Sequence, residues 1–75
     1  MSRTIAYKDL DEVRAPADIG QVAVRAGDTG VVVQTFERPY PAVMVEYADH
    51  EGQAKALVIY SPDLTRLFKV IPEPT

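Results

Sequence analysis

The segment from Val24 to Val33 constrains the fold more than any other part of the chain, because it joins a two-glycine turn to a run of three valines. Gly27 and Gly30 flank Asp28 and Thr29. Glycine adopts positive φ without strain, and an aspartate side chain can bond to nearby backbone, so the pattern predicts a tight turn. Branched and aromatic side chains follow, which favours a strand over residues 30–37.

The valines at positions 31–33 do not alternate with polar residues. Either both faces of this strand are partly covered or a β-bulge shifts its register, and the periodicity fits both. The next segment does alternate, with Val43, Val45 and Tyr47 on one face. One apolar and one polar face is typical of an antiparallel sheet.

The hairpin signal that follows is Asp49-His50-Glu51-Gly52, with aspartate at the first turn position and glycine at the fourth. It predicts a returning strand over residues 53–60, in which Ala56, Val58 and Tyr60 share one side. Leu57 and Ile59 are expected on the other side.

Three segments complete the predicted elements. We expect a first strand at residues 10–15, ahead of a proline that favours extended geometry, although a two-turn helix over 8–14 is an alternative. Ser61–Leu64 predicts a single helical turn, with serine as cap and proline at the first position. Residues 65–71 predict the last strand.

Together these elements predict an all-β fold: a small five-stranded, SH3-like, partly open barrel with a short helical turn before the last strand. The length of 75 residues indicates one domain, with residues 1–8 as an arm or extra strand and 72–75 as an extended tail. Such a chain buries only about 60% of its unfolded surface, so the core is thin. With no cysteine, disulfides and thiolate metal sites are excluded, and we expect a cytoplasmic protein.

The stretch from Leu10 to Val70 resembles a family of small bacterial SH3-like proteins of unknown function. The resemblance rests on Leu10–Val13, on Arg25–Val33, on Val45-Glu46-Tyr47 and on the acidic turn that ends in Gly52. It implies no enzymatic activity. Members of the family look like accessory or interaction modules, some of them accompanying toxin and immunity systems, so the resemblance implies an accessory or immunity-type role.

Residues that could carry chemistry have simpler structural explanations. The glycine turn is followed by a strand and lacks a lysine, unlike a phosphate-binding loop. His50 is the only histidine and lies in a turn. Ser61 and Asp63 suit a cap, and the carboxylates of Glu46 and Asp11 suit solvated strand faces. We therefore predict no catalytic residue, no metal ligand, no cofactor and no enzyme, and turn roles for Gly27, Asp28, Gly30, Asp49 and Gly52.

The aromatic residues divide into a predicted core set and a predicted surface set. The core set is Phe36, Tyr47 and Phe68. Tyr40 lies between two prolines and Tyr60 ends its strand, which suggests contact with a partner. The candidate interface residues are Arg38, Tyr40, Tyr60 and Arg66.

The net charge of −3 disfavours a nucleic-acid partner, because such binding depends on neutralising phosphates. No segment has the length of a membrane span. The sequence therefore predicts a non-enzymatic protein-interaction module that binds another protein or itself as a homo-oligomer. The alternative is an RNA-binding or ribosome-associated barrel, which the glycine turn followed by valines suggests. It predicts clustered basic side chains, and Arg14, Arg66 and Lys69 would form such a strip if the barrel brought them to one side.

Overall fold

The structure is a computed structural model that describes residues 5–72. It contains five strands: β1 (Glu12–Arg14), β2 (Thr29–Phe36), β3 (Ala42–Ala48), β4 (Ala54–Tyr60) and β5 (Leu67–Pro72). All pairings are antiparallel, and they join the strands into one open sheet in the order β1-β2-β3-β4-β5. The predicted all-β class is confirmed, and the open sheet is consistent with a small, partly open five-stranded barrel.

A tight turn, not a helix, precedes β1. The N–H of Asp11 donates to the carbonyl of Lys8 (3.1 Å), and the Asp11 carboxylate accepts the N–H of Lys8 (3.0 Å). Leu10 has a φ of 74°, in the left-handed region that ends a right-handed helix. The helical alternative for residues 8–14 is therefore wrong, and the first strand is shorter than the predicted 10–15.

The valine run in β2 contains a break in register. The ladder with β3 shifts between Val32 and Gln34, which leaves Val33 without a partner, as in a β-bulge. Val32 is buried, while Val31 and Val33 are partly exposed. Both explanations for this run therefore apply, because the register shifts and both faces of the strand are partly covered.

The hairpin between β3 and β4 is held by its first turn residue. The Asp49 carboxylate accepts the N–H groups of Glu51 (2.9 Å) and Gln53 (3.0 Å). Gly52 has a φ of +85°, which a residue with a side chain rarely adopts. The alternation predicted for both strands is confirmed, since one face buries Val43, Val45, Tyr47, Ala56, Val58 and Tyr60.

The loop between β1 and β2 folds back on itself. Ile19 and Val24 form an isolated bridge, with the N–H of Ile19 donating to the carbonyl of Val24 (2.7 Å). Between them lies a 3₁₀ helix, Gly20–Val22, which the sequence did not predict. Ahead of β5, where a single helical turn was predicted, Ser61–Leu64 forms a hydrogen-bonded turn without a helical residue. The N–H of Leu64 donates to the carbonyl of Ser61 (2.9 Å), and the φ of Leu64 (64°) is left-handed.

The core is one cluster formed by the inner face of the sheet and the residues that cover it: Ile5, Val13, Ala15, Ile19, Val22, Val24, Val32, Val43, Val45, Tyr47, Ala56, Val58, Tyr60 and Leu64. Gly30 lies in β2 against this cluster and not in the preceding turn, which corrects its predicted role. A Cβ on Gly30 would lie 2.6 Å from Val45 Cγ1 and 2.7 Å from Tyr47 Cε1. Close packing therefore explains this glycine, whereas Gly27 has the positive φ of a turn residue (+90°).

The ends of the described chain differ in their contacts. Residues 5–8 form no strand, yet Ile5 is buried in the core. Residues 1–4 of the predicted arm and 73–75 of the predicted tail lie outside the described residues, and Pro72 is the last residue of β5. Within residues 5–72, the helical segments are all too short to cross a bilayer.

Candidate interaction surface

The loop between β2 and β3 presents an aromatic side chain to solvent. Pro39 and Pro41 flank Tyr40, and the fixed φ of proline restricts the conformations of this loop. Tyr40 is 56% exposed. The loop therefore holds a large, partly apolar ring at the surface with little conformational freedom to lose on contact with a partner.

Phe68 of β5 packs against Tyr40. Their ring centroids are 5.6 Å apart and the ring planes are at 89°, an edge-to-face arrangement that aromatic pairs favour. Phe68 is 42% exposed, so the prediction that it lies in the core is wrong. The ladder between β4 and β5 shifts register at this point, from Tyr60 opposite Leu67 to Ile59 opposite Lys69. Phe68 is the residue left without a partner, and it lies outside the regular inward and outward alternation.

A groove lies beside Tyr40, with a volume of about 150 Å³. We call it the Tyr40 groove; its lining residues are Phe36, Arg38, Pro39, Tyr40, Ala42 and Ile59. Val43 and Val58 face the core, so their strand neighbours Ala42 and Ile59 face away from it. The groove is therefore on the outer face of the sheet and separate from the core.

Two cationic side chains belong to this part of the surface. Arg38 lines the Tyr40 groove, and Lys69 pairs with Ile59 across β4 and β5, which places both side chains on the same face. Among residues 5–72, the one ion pair within 4.0 Å joins Lys55 to Asp28 (3.8 Å). Within that part of the chain, Arg38 and Lys69 thus have no carboxylate partner.

Tyr60 is not an exposed contact residue. It is 2% exposed, because the alternation along β4 places it with Ala56 and Val58 on the inner face. Its hydroxyl lies 2.7 Å from that of Tyr47, so the two hydroxyl groups form a hydrogen bond with each other inside the core. Burial raises the pKa of both tyrosines above its ordinary value of 10.0.

Arg66, the other candidate interface residue, is exposed but is not among the residues that line the Tyr40 groove. Both backbone groups of Arg66 are hydrogen-bonded to Ser61. The carbonyl of Arg66 accepts the N–H of Ser61 (2.9 Å), and the N–H of Arg66 donates to Ser61 Oγ (3.0 Å). The structure therefore brings together Arg38 and Tyr40 from the predicted set, and adds Phe68.

The Ser61 and Asp63 side chains organise the turn before β5. Asp63 Oδ1 accepts from the hydroxyl of Thr65 (2.6 Å), the hydroxyl of Ser61 (2.8 Å) and the N–H of Thr65 (3.1 Å). These bonds lower the pKa of Asp63 to about 2, and the hydroxyl of Thr65 has the largest effect, followed by that of Ser61. Ser61 is buried, and its hydroxyl also holds the N–H of Arg66.

The remaining polar candidates are dispersed. His50 is exposed in the β3–β4 hairpin, beside Asp49, whose pKa is lowered by the backbone N–H groups it accepts, that of Gln53 first. Asp11 holds the turn before β1, and Glu46 lies on the outer face of β3 between Val31 and Leu57. In the part of the chain that the structure describes, no three histidine, cysteine or carboxylate side chains are grouped to hold a metal ion.

Two residues of the basic strip suggested for RNA binding lie on the two edge strands of the sheet. Arg14 lies on β1 and donates from its guanidinium to the carbonyl of Gly27 (3.2 Å). Lys69 lies on β5, at the other end of the strand order. The two cations at the Tyr40 groove, Arg38 and Lys69, share only Lys69 with the strip suggested by the sequence.

Sequence reasoning missed that Phe36, Ala42 and Ile59 contribute to the groove. Phe36 was predicted to lie in the core, and this is wrong, because it is partly exposed and is not among the residues of the core cluster. The available signal was the composition of β4, where Leu57 and Ile59 occupy the face opposite Val58. Apolar side chains on both faces of a strand indicate that something covers, or contacts, the second face.

Comparison of the chain with protein-family models, with curated proteins and with solved structures finds no match. The geometry of the Tyr40 groove and its surroundings is therefore the basis for inferring a function.

Proposed function

We propose that this protein is a small non-enzymatic interaction module that binds a partner protein through the Tyr40 groove and Phe68. One observation carries the proposal: two aromatic rings, from a proline-restricted loop and an edge strand, pack together at the surface beside an apolar groove. Aromatic anchors of this kind contribute much of the binding energy in protein interfaces. A chain with so thin a core has few large apolar residues to spare, which makes their exposure informative.

The proposal includes an SH3-like classification and an accessory or immunity-type role, as the resemblance implies. The five-stranded open sheet and the hydrogen-bonded turn before β5 support the first part. Action in the cytoplasm is part of the proposal, and it is compatible with a chain that has no cysteine and so needs no oxidising compartment to fold.

Site-specific photocrosslinking in cells tests the proposal. A benzoylphenylalanine in place of Phe68 is expected to give a discrete protein adduct, because the ring contacts the partner. The matched control carries the same group in place of Gln21, an exposed residue in the 3₁₀ helix of the β1–β2 loop. Tyr40→Ser should remove the adduct formed at position 68. Identical adducts at both positions, or an adduct that Tyr40→Ser leaves unchanged, would contradict the proposal.

A second candidate function is binding of single-stranded RNA. It is favoured by the combination of exposed Tyr40 and Phe68 rings with Arg38 and Lys69, because aromatic stacking and cationic contacts to phosphate are how such strands are held. The net charge of −3 opposes it. The same crosslinking experiment separates the two, since an adduct that ribonuclease shortens identifies RNA.

A further inference from the structure

We infer that the Tyr40 groove accepts one bulky apolar side chain from a partner peptide whose neighbouring residues are acidic. This inference rests on the proposed function and specifies the chemistry of the partner. Three properties of the surface carry it: the size of the groove, the charge around it and the character of the adjacent edge strand.

The size of the groove sets the number of side chains it can hold. Its volume is about 150 Å³, and its lining is mainly carbon, from Phe36, Pro39, Ala42 and Ile59 together with the Tyr40 ring. An apolar cavity of about 150 Å³ is large enough to hold benzene. The groove therefore fits one phenylalanine or leucine side chain, and a second large residue would have to lie outside it.

The charges beside the groove define the neighbours of that side chain. Arg38 is part of the lining and Lys69 flanks Ile59, and neither has a carboxylate partner among residues 5–72. By contrast, Lys55 is bound to Asp28 and to the carbonyl of Ala23. Two such cations beside an apolar groove, on a protein of net charge −3, favour a ligand that brings its own carboxylates.

The edge strand next to the groove disfavours a second copy as the occupant. β5 contains Lys69 and ends in Pro72, and both residue types discourage strand pairing at a sheet edge. The aromatic pair also disfavours RNA. Because Tyr40 and Phe68 pack edge to face, one ring covers part of a face of the other that a base would need for stacking.

A displayed library of random seven-residue peptides tests the inference. Selection on the wild-type protein, with Tyr40→Ser as the subtracting variant, is expected to enrich peptides with a central phenylalanine or leucine flanked by aspartate or glutamate. A fluorescent version of the most enriched peptide should bind at least about tenfold more weakly to Arg38→Glu/Lys69→Glu, and more weakly as salt rises. The matched control is Arg25→Glu, which reverses an exposed charge ahead of the first residue of β2, whereas the groove lies at the last residue of that strand. It should change affinity less than about twofold.

Each other outcome overturns the inference in a distinct way. Tyr40-dependent peptides without acidic residues would refute the partner chemistry while leaving the proposed function intact. No Tyr40-dependent enrichment would refute both. If an oligouridine probe bound more tightly than the enriched peptide, and in a Tyr40-dependent way, RNA would be identified as the ligand. A dimer seen in sedimentation that Tyr40→Ser dissociates would identify a second copy as the occupant. Dispersed amide spectra of every variant would establish that these results do not come from unfolding.

Discussion

Gly27 and Gly30 are three positions apart, yet different physical requirements explain them. Gly27 has a φ of +90°, and a Cβ added there would meet nothing within 4 Å, so its backbone conformation alone requires glycine. Gly30 is buried in β2, and the side chains of Val45 and Tyr47 occupy the space that a Cβ would take. The first glycine allows the turn, and the second allows the sheet to pack on its own core.

Replacing Gly30 with alanine should therefore destabilise the protein by about 1–3 kcal/mol, because the added methyl group overpacks the core. Urea unfolding measures this change. The matched control is Gly20→Ala, since a Cβ on Gly20 would meet nothing within 4 Å. The control should leave stability unchanged or raise it by up to about 1 kcal/mol, through reduced freedom of the unfolded chain. Equal effects of the two substitutions would contradict the packing explanation.

The Asp63 carboxylate should contribute to stability in a defined range of pH. Its pKa of about 2 in the folded protein is below its ordinary value of 3.8, because the hydrogen bonds from Thr65 and Ser61 favour the charged form. Because the pKa is lower in the folded than in the unfolded state, the ionised carboxylate stabilises the folded state above about pH 4. This contribution is lost as pH falls towards 2. Asp63→Asn keeps an acceptor oxygen but cannot titrate. The stability difference between wild type and variant should shrink across this range in acid unfolding experiments; a constant difference would contradict the assignment.

The strands and their faces were largely predictable. In β3 and β4, buried and exposed side chains alternate because successive residues of a strand point to opposite faces of the sheet. The positions of Tyr60 and Phe68 show where the pattern was insufficient. Tyr60 follows the alternation and is buried, although its place at a strand end suggested exposure. Phe68 falls at a register shift between β4 and β5, which depends on the pairing of two distant segments and leaves no local signature.

The buried hydroxyls of Tyr47 and Tyr60 link β3 to β4 and should be strongly coupled. Changing either tyrosine to phenylalanine leaves the other hydroxyl buried without its partner, at a cost of about 1–3 kcal/mol. Changing both removes the unmet polar group, so the double variant should lose no more stability than one single variant. A double-mutant cycle measured by urea unfolding checks this. Additive losses would show that the two hydroxyls do not depend on each other.

The two faces of the folded sheet have different compositions and, in our account, different roles. The inner face holds the valines and the tyrosine pair that form the core. The outer face combines the Tyr40 groove with Arg38 and Lys69. The sequence predicted the loop that contains Arg38 and Tyr40, because prolines flank an aromatic residue there. The groove itself is formed by residues from three strands and the β2–β3 loop, so it exists only once the register of the sheet is known.

The most direct test of this division compares the unfolding free energies of Tyr40→Ser and Val58→Ala. Val58 is fully buried, so Val58→Ala should cost about 2 kcal/mol through lost burial and the cavity that remains. Tyr40 is more than half exposed, and Tyr40→Ser should cost no more than about 1 kcal/mol. That result would agree with a ring retained for recognition. A loss for Tyr40→Ser equal to or greater than that for Val58→Ala would contradict the account, because the exposed aromatic pair would then belong to the core.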